Sequence, residues 1–418
     1  MSRRRVLAIV YGAGSVSAMK LSGPARALCD LVWVVDSSEF EDTVMMRLLR
    51  KLGTTIDVVG MAEADIVDAL RPFEPDGIVA YADAQIALAS VLAGRLGLDY
   101  HDAEVAERLL DKTTQRRALR AAGLPVPRGA DVPPSPTPEN VAALVAAVDF
   151  PVVLKPRHGA ASRDTVLVQD AAELAQLLAE PPYADSGAAM VVEEYMVGAS
   201  PPPSAQFADY LSVESIVVNG TINHVCVTGR TPQAEPFRET GYVIPSDFAP
   251  PLIEASLALA AQAMTALGVR TGCFHTEIKA TTAGLRVIEV NGRLGGFVPE
   301  VLEVAVPGMN FYEISQRVAL GEHLEFVDVV TTEDRVGYLV VEQPPLFARA
   351  VASVEGLDRL AEYDGVDSVT LARQPGDAVD WRKGSHELVW SVIGAAADYE
   401  GVKAVQQFIA AEVNVTYS

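Results

Sequence analysis

Along the first hundred or so residues, short unbroken apolar runs alternate with longer stretches in which apolar positions recur every three or four residues. The runs VLAIV, LVWVVD, IDVVG and GIVAYA read as strands, and DTVMMRLLRKLG, EADIVDALRPF and AQIALASVLAGRLG as the helices between them. That alternation predicts a parallel sheet covered by helices. Next, LLDKTTQRRALRAAGLPVPRG predicts one helix closed by Gly123 and Pro125. The proline-rich DVPPSPTPEN connects it to a further helix. Then come strand PVVLK, loop PRHGAASRD, strand TVLVQ, helix AAELAQLLAE and strand MVVEEYM. From LSVESIVVNG to residue 291 strands and hairpins dominate, with the helix PLIEASLALAAQAMTALG between them. Beyond about residue 330, the segments RVGYLVVEQPP, DSVTLARQPGD and HELVWSVIGAAAD describe a small α+β unit. The stretch ASPPPSAQFAD reads as a mobile loop.

Polar residues concentrate most in HTEIKATTAGLRVIEVNGRLGG, residues 275–296. If CFHTEIK and LRVIEVN pair across the five-residue loop ATTAG, centred on Thr282, the odd-numbered residues of both strands share one face. His275, Glu277, Glu289 and Asn291 then lie together, with Glu277 and Glu289 diagonal neighbours within about 8 Å. Two carboxylates so close repel unless a cation lies between them. Oxygen ligands with an amide carbonyl suit magnesium or manganese rather than zinc. The plainer reading is a solvated face of an antiparallel sheet; convergence of both strands, followed by Gly-Arg-Leu-Gly-Gly, favours the metal.

Magnesium with few protein carboxylates implies that phosphates complete its shell. VVLKPRHGAASRD offers a grip for them: Lys155 ends a strand, Pro156 prevents its continuation, and a loop of Gly, Ala and Ser presents backbone N–H groups. It is not a Walker A sequence. At the end of MVVEEYMVG, Glu193 to Met196 form a strand end whose backbone could hold an adenine edge beside the apolar Met196. A weaker signal is Gly12-Ala13-Gly14 after the first strand with Asp36 ending the second. It is a partial dinucleotide fingerprint without its third glycine, and Pro24 interrupts the helix that follows.

Composition narrows the classes. A net charge of −22 over 418 residues disfavours nucleic acid and anionic membrane as partners. Cys29, Cys226 and Cys273 are odd in number and widely spaced, fitting neither a disulfide framework nor a zinc site. The start MSRRRVLAIVYGAGSVSA superficially resembles an export signal, but its apolar run is short and passes into Gly12, so a first strand is expected. No window approaches the roughly 18 apolar residues of a membrane span. A soluble cytoplasmic protein follows as the expectation.

Lys112, the Lys155 loop, the Glu193 hinge, then Glu277, Glu289, Asn291 and Arg293, in that order and spacing, resemble the ATP-grasp superfamily of carboxylate–amine ligases. SVESIVVNG, HTEIK, IEVNGRLGG and the tail with VDWRKGS look most like the bacterial L-amino-acid ligase group. The resemblance implies a multidomain α/β and α+β fold. A Rossmann-like domain would occupy 1–103, the central ATP-grasp lobe with a linker helix 104–198, the C-terminal lobe with the metal site 199–329, and a small α+β subdomain 330–418. It implies that Lys112, Lys155, Ser162 and Arg230 contact ATP, and that Glu193, Glu194, Tyr195 and Met196 hold adenine. Glu277, Glu289 and Asn291 would bind two magnesium ions, and Arg293 would steady an acyl phosphate. ATP and two small-molecule substrates are the implied partners, with a homodimer left open.

Chemically, γ-phosphoryl transfer would turn a carboxylate into a mixed anhydride that an amine can attack, and Arg293 would offer donors to the developing oxyanion. His275 would act as a base, orient substrate, or simply support the strand. Gly295 and Gly296 would allow close approach of substrate, and Glu214 would face the same cleft. Two alternatives remain at this stage. A nicotinamide-dependent oxidoreductase would use Gly12, Gly14 and Asp36; a non-catalytic nucleotide-binding regulator would keep the lysines without needing Arg293.

Overall fold

The computed structural model of the chain describes residues 3–40, 43–133, 137–181, 183, 189–199, 207–322, 324, 329–330 and 335–418. The first strands, β1 (Val6–Tyr11), β2 (Asp30–Val35), β3 (Thr54–Asp57) and β4 (Gly77–Ala80), form a parallel sheet in the order β3-β2-β1-β4. β1 is buried throughout, so its apolar run is continuous rather than alternating. Leu7, Ile9 and Tyr11 face one core while Val6, Ala8 and Val10 face another. Pro24 does not interrupt the first helix, which runs from Ala18 to Leu28 with the proline inside it.

The single helix expected before Gly123 is two, Ala103–Leu110 and Lys112–Ala121. Asp111 between them is extended, and its side chain accepts the N–H of Thr114 at 2.7 Å. Aspartate is favoured as an N-cap over a helix interior, and this explains the break. The restarted helix buries Lys112, Gln115 and Arg116.

A second sheet, β5 (Gly129–Val132), β6 (Val152–Pro156), β7 (Val166–Val168) and β8 (Met190–Glu194), is antiparallel in the order β5-β8-β6-β7. It has a core of its own, with Val152, Leu154, Val168, Leu174 and Val192 at its centre.

The largest sheet has eight strands. These are β9 (Tyr210–Val218), β10 (Thr221–Arg230), β11 (Gly241–Ile244), β12 (Gly272–Thr281), β13 (Gly284–Asn291), β14 (Val336–Val341), β16 (Val366–Leu371) and β17 (Trp390–Ala396). Their order is β13-β12-β9-β10-β11-β14-β17-β16. The boundary expected near residue 330 therefore falls between hydrogen-bonded neighbours, because β14 pairs with β11. Among the described residues, β15 (Val351–Glu355) and β18 (Asn414–Tyr417) form a separate ribbon.

One face of the large sheet, including Leu211, Val213, Val227, Phe274, Ile278 and Val290, packs on the helix Pro250–Leu267. A further core runs from Leu7 and Ile9 of the first sheet through Leu302 and Phe311 to Ile216 and Leu339 of the large one. Shared packing of this kind fixes the first sheet against the large sheet. All three cysteines are free and buried. Among the described residues no helix is long and apolar enough to cross a membrane. Residues 200–206 of the proline-rich stretch lie outside the described set.

Candidate nucleotide and metal site

The face of the large sheet opposite the helix Pro250–Leu267 carries the polar and charged residues of the hairpin. In the hairpin β12–β13, Thr281 pairs with Gly284, so the turn is two residues, Thr282 and Ala283, rather than the expected five. On that register alone Glu277 would oppose Ile288. A bulge between Glu277 and Ile278 shifts the pairing by one, and beyond it Glu277 lies directly opposite Glu289 and His275 opposite Asn291. The diagonal relation expected between the two glutamates is thus replaced by a closer one. The rule that all odd residues of β13 share the site face also fails: Val287 and Val290, of opposite parity, both lie in the apolar core.

The bulge is held from the helix Lys112–Ala121. Gln115 Nε2 donates to the Val290 carbonyl and its Oε1 accepts the Val290 N–H, both at 2.9 Å. Arg116 Nη2 donates to the Ile288 carbonyl. The free edge of β13 is thus satisfied by side chains, as buried backbone requires.

Five cationic and anionic groups, buried or half-buried, meet behind this edge. Lys112 Nζ lies 3.1 Å from Glu289 and donates to the Gly159 carbonyl at 2.7 Å. Arg116 forks onto Glu193 at 2.8 and 3.3 Å, and Lys155 Nζ reaches the same carboxylate at 2.6 Å. Burial opposes ionisation of Glu193, but Arg116 and Lys155 hold its carboxyl down at about 2. Burial pushes Lys155 below the usual lysine range, with Glu193 opposing and Arg116 and Lys112 adding to the shift. The Glu194 side chain is held by Arg128 at 2.7 Å and by Arg286. Its N–H donates to the Arg128 carbonyl, and that of Tyr195 to the Pro151 carbonyl. Hydrogen-bonded strand pairing ends at Glu194, so Tyr195 and Met196 continue in irregular chain.

Across the sheet, His275 Nδ1 lies 2.6 Å from Glu214 Oε1, and Nε2 lies 3.3 Å from Glu277 and 3.4 Å from Arg230. Burial disfavours a charged ring, yet Glu214 raises it to about 9. Burial likewise opposes charge on Glu277, and His275, then Arg230 and Arg293, hold its carboxyl down at about 2. Arg230, 1% exposed, also binds Glu239 at 2.6 Å and Ser212 Oγ at 2.7 Å. Asn291 Nδ2 donates to the His275 carbonyl at 3.4 Å, which leaves its amide oxygen as the atom suited to a cation. Gly295 is a close approach: a Cβ there would sit 2.7 Å from His275 Nδ1. The Gly296 carbonyl accepts the Tyr242 hydroxyl at 2.6 Å.

Arg293 Nε donates to Asp83 at 2.8 Å, and Nη1 donates to the Leu294 carbonyl. Asp83 opens the helix Asp83–Leu96 of the first domain. Burial lowers and Asp83 more than restores the affinity of this guanidinium for its proton. The structure thus joins Lys112, Lys155, Glu193 and Glu289 in one charged cluster and Glu214, Arg230, His275 and Glu277 in another, the two meeting where Glu277 pairs opposite Glu289 and His275 opposite Asn291; Arg293 is held by Asp83. Ser162 Oγ donates to the Phe237 carbonyl at 2.8 Å.

Residues that sequence reasoning missed include Arg116, Gln115, Asp83 and Glu239. Arg116 had a signal, since it stands four residues after Lys112 on the same helical face. Asp83 had none, because its contact spans 210 positions.

The partial dinucleotide fingerprint is filled from within. Glu39 Oε2 accepts the Ala13 N–H at 2.8 Å, and Gln85 Nε2 donates to the same carboxylate at 3.2 Å. Asp36 caps its own turn by accepting from Ser38. A carboxylate in that position repels a pyrophosphate.

The model of the ATP-grasp domain matches residues 148–300. The fold superposes on an L-amino acid ligase from Bacillus licheniformis with a TM-score of 0.79 and 19% identity, covering 100% of both chains. An uncharacterized protein of Sinorhizobium fredii is 26% identical over 316 residues, 74% of this chain and 61% of that one. Alanine–anticapsin ligase of Bacillus subtilis is 27% identical over 257 residues, 57% of this chain and 53% of that one. The matched part of the chain thus spans 61% and 53% of the length of these two relatives.

Proposed function

We propose that this chain, whose residues 148–300 are an ATP-grasp domain, is a cytoplasmic ATP-dependent ligase. It joins an amino-acid-like carboxylate to an amine, itself an amino acid or peptide, through an acyl phosphate, releasing ADP and phosphate. The observation that carries this reading is the pairing of Glu277 directly opposite Glu289, flanked by Lys112 and the loop after Lys155. That combination serves a metal-bound triphosphate and has no use in an oxidoreductase.

The donor set fits magnesium: two carboxylates and an amide oxygen, with Lys112 and His275 as the nearest cations. Held by Glu277, Glu289 and Asn291, a pair of magnesium ions would neutralise triphosphate charge during phosphoryl transfer. The remaining roles belong to side chains. Lys112 and Lys155 bind phosphate oxygens, and the strand end Glu193 to Met196 holds the adenine edge. His275, gripped on both ring nitrogens, keeps Glu277 aimed at the cleft. Arg293, oriented by Asp83, donates to the oxyanion formed when the amine attacks.

The test follows an atom. With an accepted carboxylate substrate labelled with oxygen-18, one labelled oxygen should appear in the released phosphate, alongside ADP and the amide. AMP with pyrophosphate would point to adenylation. Unlabelled phosphate with ADP, after exchange is excluded, would refute the acyl phosphate.

A further inference from the structure

The loop between β6 and β7, residues 157–164, crosses from Lys112 to a segment far along the chain. At one end the Gly159 carbonyl accepts from Lys112. At the other, the Asp164 N–H donates to the Arg382 carbonyl at 2.9 Å and the Ser385 N–H to the Ala161 carbonyl at 2.8 Å. Arg382 and Ser385 belong to the short helical segment Trp381–Glu387. That segment is broken at Gly384, with φ 72° and ψ −150°, a region open to glycine and strained for other residues. A Cβ on Gly384 would stand 2.0 Å from the Ala161 carbonyl oxygen and 2.7 Å from the Arg163 nitrogen. The two backbones touch with no room for a side chain.

The loop does not hold this shape by its own preference. Ala161, Ser162 and Asp164 have φ of 56°, 58° and 48°, left-handed values uncommon for non-glycine residues and costly for three so close together. The segment Trp381–Glu387, by contrast, is anchored. The Ser385 hydroxyl accepts the Glu239 N–H at 3.0 Å, and Gln343 donates to the Ser385 carbonyl at 3.2 Å. Asp380 caps the Arg382 N–H at 3.0 Å, and buried Glu387 accepts the Asp380 N–H at 3.2 Å. Glu239 in turn binds Arg230 inside the cleft.

We propose that Arg382 to Ser385 are positioning residues for the nucleotide. They form a fixed seat that holds the loop 157–164 over the cleft, so the C-terminal unit completes the phosphate site, and Gly384 is the residue that permits the contact. The seat rests on the reading of this cleft as an ATP site. The loop's backbone N–H groups are useful to phosphate only in one conformation, and the seat selects it. The chain segment that ends in VDWRKGS thereby acquires a role in nucleotide binding without touching nucleotide.

Arg163, with a side chain 71% exposed, makes the loop a reporter of its own seating, because trypsin cleaves there only when the backbone is released. Gly384→Val should raise the rate of cleavage after Arg163 at least about tenfold, in proportion to the unseated population. It should weaken binding of the magnesium complex of a non-hydrolysable ATP analogue by a similar factor in calorimetry, at a temperature where circular dichroism shows the variant folded. A folded variant with wild-type cleavage and wild-type affinity overturns the seat. Should the variant not fold, hydrogen exchange of the wild type decides: the amides of Asp164 and Ser385 are protected together if the seat exists, and both exchange freely if it does not. If no carboxylate elicits ADP release, the ligase reading fails, while the cleavage difference still decides the seat.

Discussion

Two loops in this molecule begin alike and differ in what surrounds them. Gly12 to Gly14 follows β1, an interior strand of the first sheet, and Gly159 to Ser162 follows a strand of the second. Each offers backbone N–H groups beside small residues. Around the first stands a carboxylate, Glu39, which takes the Ala13 N–H for itself. Near the second stand Lys112, Lys155 and Arg116, with Glu193 and Glu289 as their carboxylate partners among the described residues. An anion entering the first loop must displace a like charge; entering the second, it meets excess positive charge. The local glycine pattern is therefore no guide to phosphate binding, and the sign of the charge that tertiary structure brings to the loop is.

Removing the charge from the second loop is the strongest way to break this contrast. Lys155→Met leaves Glu193 forked by Arg116, so the fold should persist. ATP affinity, measured by calorimetry, should fall on the order of a hundredfold, the loss expected for one partner of a buried charged contact. An affinity within a few-fold of wild type would mean that the cationic lining supports the fold alone.

The same cluster leaves a signature in acid. The Glu193 carboxyl titrates at about 2 in the folded chain against an ordinary 4.5. Its folded value is depressed, so its contribution to stability is complete above about pH 4.5 and is lost as pH falls through 2. Urea unfolding should therefore show wild type more stable than Glu193→Gln at pH 6, with the gap narrowing between pH 4.5 and pH 2. Glu277 titrates in the same window, but both proteins contain it and it cancels. A gap independent of pH would mean that Glu193 acts through packing and not through its charge.

How much of this could be read from the chain alone depends on the range of the contacts. Strand and helix order was legible because apolar periodicity is local. The convergence of His275, Glu277, Glu289 and Asn291 was legible because a hairpin is nearly so, yet the route was different. A shorter turn and a bulge each shift the register by one residue in the same direction, their sum of two restores the shared face, and the bulge is held by Gln115 and Arg116, more than 170 positions away. The Asp111 cap was readable in retrospect, since aspartate resists a helix interior. Asp83 beside Arg293, and Gly384 against Ala161, had no sequence signal, because each contact joins separate units across more than 200 residues.

The smallest expected effect sharpens the contrast from the other side. Glu39→Gln removes the charge in the first loop but keeps an oxygen that can accept the Ala13 N–H, so the loop should retain its shape. If Glu39 were merely suppressing a working dinucleotide site, neutralising it would release that site, and reduced nicotinamide nucleotide would bind with a change in its fluorescence. We expect no such binding. Without the third glycine, and with Gln85 packed where a Cβ on Gly12 would lie, the backbone cannot approach a pyrophosphate even when the charge is gone. ATP affinity should stay within about twofold of wild type, since surface changes away from a site rarely exceed a few tenths of a kcal/mol. Nicotinamide nucleotide binding in this variant would show that charge alone separated the two loops; its absence would show that shape excludes the ligand from the first loop as firmly as charge does.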